Sequence, residues 1–293
     1  MANLFPITEN LIHLNHAAVG PWPQSTADAV TAFAQENARQ GSQNYLQWIQ
    51  VENDLRDKIR RLINAESTQE IALVKNTSEG LSFIAAGLDW KAGDNVIGIE
   101  QEFPSNRFAW DALASRGVEF RKLDLEQVED PEQGLFDLCD SNTRLISVSA
   151  VQYATGFRMD LPRIGEFCRQ DDILFCVDAI QQIGMLPFDV QAIQADFAVA
   201  DGHKWMLAPE GIGLMYVRRE IMDRVGVSQY GWHMAQIEDY TQQEFGLKPD
   251  ARRFECGSPN TLGIHGLNAS LELLLAEGMN SIGEQLLART DYL

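Results

Sequence analysis

A lysine stands where the chain should be burying apolar residues. Gly202-His203-Lys204 falls between two strand-like runs, Phe197–Ala200 and Leu214–Val217, with a Gly/Pro-containing loop after it. A buried lysine must have its charge matched or removed. Burial also lowers the pKa of the amine and frees it to attack a carbonyl. The carbonyl most often held this way is the aldehyde of pyridoxal 5'-phosphate (PLP), as a Schiff base. A site of that kind must also hold the phosphate, keep the pyridine nitrogen protonated and orient the ring. Asp178 closes the apolar run Ile173–Val177, so it belongs at the carboxyl end of a strand, where a carboxylate can pair with a pyridinium. Gln181, three residues on, can donate to the ring oxygen. Asn76-Thr77-Ser78-Glu79-Gly80 follows the strand-like Ile71–Val74 and opens a helix. Free N–H groups at a helix start, with the Thr77 and Ser78 hydroxyls beside them, suit a phosphate. His203 can add a hydrogen bond to that phosphate, and Phe103 can stack on the ring. Taken singly, each residue has a plainer role. Lys204 could lie on a surface loop, Asp178 could cap a turn, Asn76 could be an ordinary N-cap, and Phe103 could be core. The argument rests on their joint presence.

The elements that must position these groups show a change of pattern along the chain. After the short apolar piece Leu11–Leu14, the Gly and two Pro of Asn15–Pro23 mark an irregular segment. Ser25 is placed to cap a helix running to about Arg39. A second helix is expected over Tyr45–Ile63, with Val51, Leu55, Ile59 and Leu62 at helical spacing. From Glu70, strand-length apolar runs (71–74, 95–99, 118–123, 145–149, 173–177) alternate with helical segments (79–88, 106–116, 161–169). This alternation predicts an α/β domain with a mainly parallel sheet and a ligand at the carboxyl ends of its strands. Acidic Val128–Gln133 reads as a solvated connection, and Gln229–His233 and Thr241–Asp250 read as loops. An amphipathic helix is expected over about 262–277, and a last one from near Ser281. The implied organisation is an N-terminal segment (1–24), a cofactor-binding domain (25–265) and the start of a smaller domain (266–293). The sequence stops at Leu293 without a capping signal, which suggests truncation.

Composition narrows the partners. The net charge is −19 over 293 residues, which disfavours nucleic acid and anionic membrane. No run is long and apolar enough to cross a bilayer. The five histidines are scattered, and no two of the four cysteines have CxxC spacing, so no metal site is expected. Cys168 and Cys176 sit in apolar runs and read as core residues. The start lacks the features of a signal peptide, and a reducing, cytoplasmic setting follows as the expectation.

Several stretches together resemble the superfamily of class V aminotransferases and cysteine desulfurases. They are Leu14-Asn15-His16-Ala17-Ala18, Asn76–Gly80, Val177-Asp178-Ala179-Ile180-Gln181, Gly202-His203-Lys204 and Arg253-Phe254-Glu255-Cys256-Gly257-Ser258-Pro259-Asn260. The resemblance covers nearly the whole chain, Leu14 to about Leu287. It implies PLP fold type I, a homodimer with active sites at the subunit interface, and a small amino acid as substrate. By resemblance, Lys204 is the Schiff-base lysine, Asp178 the pyridinium partner and Gln181 the donor to the ring oxygen. Thr77, Ser78 and His203 hold the phosphate, Ser258 reaches the phosphate of the partner subunit, and Gln152 stands near the ring. Two positions depart from the pattern. Desulfurases usually stack a histidine on the ring where this chain has Phe103. Asp201 occupies a position often held by a phosphate-binding serine, and an acid there repels phosphate unless it points away. In that superfamily a C-terminal domain carries the arginine for the substrate carboxylate and, in desulfurases, the nucleophilic cysteine. None of the four cysteines here lies at that place, and Cys256 reads as structural.

Two classes of function stay open on these residues. One is a PLP enzyme in which Lys204 acts as base at the α-carbon, with amino transfer, Cβ–S cleavage or racemisation to follow. The other is a PLP-binding dimeric scaffold that holds no substrate. His16, Trp22 and His233 are candidates for the pocket wall, with packing or loop roles as their alternatives.

Overall fold

The computed structural model describes residues 4–236, 241 and 246–292, so the expected loop Thr241–Asp250 lies partly outside the described residues. The strands are β1 (Ile71–Val74), β2 (Asn95–Ile99), β3 (Glu119–Leu123), β4 (Thr143–Ser149), β5 (Leu174–Asp178), β6 (Phe197–Asp201) and β7 (Gly213–Val217). They form one sheet in the order β1-β7-β6-β5-β4-β2-β3. β6, β5, β4, β2 and β3 pair in parallel, whereas β7 is antiparallel to both β6 and β1. β1 therefore points the same way as β6, and β7 alone is reversed. The carboxyl ends of β1, β5 and β6 thus share one edge of the sheet. The β6–β7 connection turns back at that edge as a hairpin.

β2, β5, β6 and β7 are buried at every position, as strands covered on both faces must be. Successive side chains serve opposite faces. Phe175, Val177, Ala198 and Ala200 join the apolar layer under the helices α2 (Tyr45–Leu62), α6 (Leu161–Gln170) and α7 (Thr261–Glu277). Cys176, Phe197, Val199 and Met215 join the layer under α3 (Thr77–Gly87) and α4 (Ser105–Asp111). The edge strand β3 carries Glu119, Arg121 and Lys122, charges that discourage pairing with another sheet.

Several boundaries differ from the sequence expectations. α1 (Gln24–Gln40) starts directly after Pro23, and Ser25 lies inside it rather than capping it. A proline at that place supplies an extended φ/ψ without a side-chain cap. The acidic stretch is not merely a connection. Asp130 accepts from the Gln133 N–H and opens α5 (Pro131–Asp137) with proline at its first position. The helix expected over 106–116 is divided into α4 and a 3-10 turn, Ala112–Arg116, closed by Gly117 at φ 77°. α7, expected over about 262–277, runs over Thr261–Glu277 and packs on α1 and α2. α8 (Met279–Thr290) begins directly behind Gly278, at φ 82°.

Candidate active site

The hairpin after β6 is held from several sides. The Gly202 N–H donates to the Ile212 carbonyl (2.8 Å), and the Ala208 N–H to the Gly202 carbonyl (3.0 Å). Ser270 of α7 donates its buried hydroxyl to the Met206 carbonyl (2.6 Å). Leu207 adopts φ 56°, a conformation L-residues enter only under constraint. The N-terminal segment closes the turn. Gly20 N–H donates to the His203 carbonyl (2.8 Å), and Trp22 Nε1 to the Ala208 carbonyl (3.1 Å). This framework leaves Lys204 only 8% exposed, its Nζ 5.4 Å from the centre of the Phe103 ring. Burial lowers its pKa, while Asp178 and Asp201 pull it back up.

Asp178, at the end of β5, is 2% exposed and accepts from the Ile180 N–H (3.1 Å). Burial pushes its carboxyl up to about 6, against the pull of Ile180 and Lys204. On β4, Ser149 lies in register with Asp178. The Ser149 N–H (2.6 Å) and hydroxyl both donate to Glu102, a carboxylate 4% exposed. Burial holds Glu102 at about 7, and the nearby Asp178 adds to the rise. Gln181 donates through Nε2 to the Ala17 carbonyl (3.0 Å) and accepts from Trp205 Nε1 (2.8 Å). One of its two amide hydrogens is left to point elsewhere.

α3 begins at the same edge. Asn76 caps it by accepting from the Glu79 N–H (2.9 Å), which leaves the Thr77 and Ser78 amides without an intrahelical acceptor. Thr77 Oγ1 is buried and has no hydrogen-bond partner. Ser78 Oγ is 2.7 Å from Ser105 Oγ at the start of α4. Thr77, Ser78, Phe103, Asp178, Gln181, His203 and Lys204 all line one cavity of about 210 Å³, with Asp201, Ser149 and Tyr153. The residues fit PLP by their chemistry. A helix start and an orphaned hydroxyl suit a phosphate, a buried carboxylate suits a pyridinium, and a desolvated amine suits an aldehyde.

Other sequence candidates stand elsewhere. Gln152 spends its amide on its own loop, donating to the Gln101 carbonyl (2.7 Å) and accepting from the Ala154 and Thr155 N–H groups. It does not line the Lys204 cavity. Ser258, Cys256 and His233 line a second cavity of about 620 Å³, beside Lys75 and Glu255. His16 stacks on Trp205 with ring centres 5.0 Å apart and so lies behind Gln181. Trp22 braces the hairpin. Cys168 and Cys176 are buried, as their apolar surroundings imply. Sequence reasoning missed Glu102, Ser149, Tyr153 and Ser105. A glutamate directly before Phe103, in the loop after β2, was the available sign.

The class V aminotransferase family model matches residues 12–293. A probable cysteine desulfurase of Methanothermobacter thermautotrophicus is 33% identical over 98% of this chain and 72% of its own length. The apo structure of a cysteine desulfurase from Thermococcus onnurineus superposes with TM-score 0.84 at 26% identity, over 99% of this chain and 74% of that one. A C-DES variant with glycine covalently linked to its PLP cofactor superposes with TM-score 0.89 at 23% identity, over 95% of this chain and 75% of that one, a likeness of fold. The architecture is thus that of fold type I, and the chain belongs to the class V aminotransferase family of pyridoxal phosphate enzymes.

Proposed function

We propose that the Lys204 cavity holds PLP and that the chain acts there on a small amino acid, as an aminotransferase or a cysteine desulfurase. The observation that carries this reading is that Lys204, Asp178 and the orphaned hydroxyl of Thr77 line a single cavity. Lys204 tethers the aldehyde, Asp178 faces the pyridine nitrogen, and Phe103 covers the ring. Thr77, Ser78 and His203 take the phosphate, and Gln181 uses its remaining N–H for the ring oxygen. Bound there, PLP supplies an electron sink for charge developing at an amino acid's α-carbon. Lys204 Nζ, with its pKa lowered by burial, takes the proton from that carbon once displaced. Asp178 can stay ionised at neutral pH despite burial, which keeps a proton on the nitrogen it faces.

The relatives' names favour desulfuration of cysteine, whereas Phe103 in place of a histidine favours amino transfer. The four free thiols suit a reducing cytoplasm. A homodimer is supported by Ser258, which lines a second cavity beside that of Lys204 and does not reach the Lys204 cavity itself, leaving it available to a second copy's cofactor. The test is absorption spectroscopy of the purified chain with PLP, followed by an amino-acid panel. A visible band absent from Lys204→Ala is expected. Sulfide from cysteine identifies a desulfurase, and keto acid with pyridoxamine phosphate identifies an aminotransferase. A Lys204→Ala protein with an unchanged band would overturn the assignment.

A further inference from the structure

Asp201 presents a conflict of charge. It ends β6 with its side chain 7% exposed, and it lines the cavity assigned to PLP. A lone carboxylate beside a phosphate costs affinity, and a buried one needs a partner. His203 lines the same cavity, and its Nδ1 is 3.1 Å from Asp201 Oδ1. Both atoms are buried and neither makes a hydrogen bond: they are close enough for one but lack its alignment, so each is an unsatisfied polar atom beside the other. The His203 carbonyl accepts from the Gly20 N–H, which holds the backbone under the ring in place. Among the described residues lining this cavity, His203 and Lys204 are the only basic side chains, and Asp178 and Asp201 the only acidic ones. Lys204 is committed to the aldehyde and Asp178 to the pyridine nitrogen, which leaves the other two to face the phosphate as a pair.

We propose that Asp201 and His203 form one phosphate-binding unit. With phosphate bound, a small turn of the ring aligns Nδ1–H with the Asp201 carboxylate 3.1 Å away and points its other N–H, at Nε2, toward the phosphoryl oxygens. The carboxylate then strengthens anion binding instead of opposing it, because the ring it holds donates one N–H to each anion. A serine at position 201 would donate to phosphate directly, whereas aspartate works through the histidine as a positioning residue. This inference rests on the PLP reading above.

Equilibrium binding of PLP and of pyridoxal, which lacks the phosphate, to the apoprotein tests it in a double-mutant cycle. Asp201→Asn is expected to weaken PLP about tenfold, the loss of one charge-assisted hydrogen bond, while pyridoxal binding stays unchanged. In the His203→Gln background, Asp201→Asn is expected to tighten PLP or leave it unaltered, since only repulsion remains. Simple repulsion predicts tightening in both backgrounds, and a merely structural role predicts equal loss for PLP and pyridoxal; either result overturns the proposal. Nitrogen NMR of the wild-type holoenzyme adds a readout that needs no variant. Protons on both His203 ring nitrogens support the unit, and a singly protonated ring overturns it. A wild-type chain that binds no PLP would overturn the cofactor reading itself, an outcome distinct from PLP binding with an unfavourable Asp201.

Discussion

Glu102 is a carboxylate with little water around it, two donors from Ser149 and Asp178 nearby. Burial raises Glu102 to about 7 and Asp178 to about 6. The folded apoprotein therefore binds protons that the unfolded chain has released. Their stabilising contribution is fully present below the unfolded carboxylate range and is lost as pH rises through about 6 to 7. Glu102→Gln, neutral at every pH, removes its part of this pH-dependent swing, on the order of 3 kcal/mol between the protonated and ionised limits at 1.36 kcal/mol per pKa unit. We expect urea unfolding of the apo variant to show a flatter pH dependence than wild type between about pH 5 and pH 7.5. An identical slope in both proteins would mean that Glu102 does not change protonation there. Groups held low, such as Asp140 beside Arg121, act at more acid pH and cancel in the comparison.

At the scale of elements, the site depends on close approaches that leave no room for a side chain. A methyl group on Gly20 would overlap the Lys204 carbonyl oxygen, and one on Gly80 would overlap Val199 Cγ1 where α3 crosses β6. Gly20→Ala must push the N-terminal segment away from the hairpin and break its bond to His203. We expect a loss of about 2 kcal/mol or more, in the range of strained or overpacked substitutions, together with weaker PLP binding. Chemical denaturation and cofactor titration of the variant check both. Gly41, with open space around its Cβ position but φ 57°, is instead a backbone requirement of the α1 terminus.

The whole molecule is braced by a buried charge cluster away from the cavity. Arg56 of α2, 4% exposed, donates to Glu255 (2.5 and 3.2 Å), Glu52 (2.7 Å) and the Ile71 carbonyl (2.9 Å). Glu255 also accepts from the Leu73 N–H (2.8 Å). One guanidinium thus ties α2 to β1 and to the segment that carries Ser258. Arg56→Met leaves two carboxylates without their cation, and we expect a cost of about 3–5 kcal/mol. Thermal unfolding measures it, and Arg56→Met with wild-type stability would show that the pair is not needed. Restoring neutrality with Glu255→Gln in the same chain is expected to recover part of the loss.

Local chemistry was readable from the chain alone. Apolar runs of strand length, with β1 and β2 delimited to the residue, follow from the need to bury both faces of a central strand. Lys204, Asp178 and the Asn76–Gly80 helix start could be picked out because each is a polar group at the end of such a run. Spacing along the chain could not say which side chains meet. Gln152 turns into its own loop because its amide satisfies four groups there and at Gln101. Ser258 opens on another cavity. Glu102 gains its unusual environment from burial in the packed sheet edge, beside Ser149, 47 residues away. Asp201 and His203, two residues apart, have side-chain atoms 3.1 Å apart and buried where β6 leaves the sheet, which spacing alone does not show. Burial and pairing are properties of the packed sheet edge, so only the tertiary structure decided them.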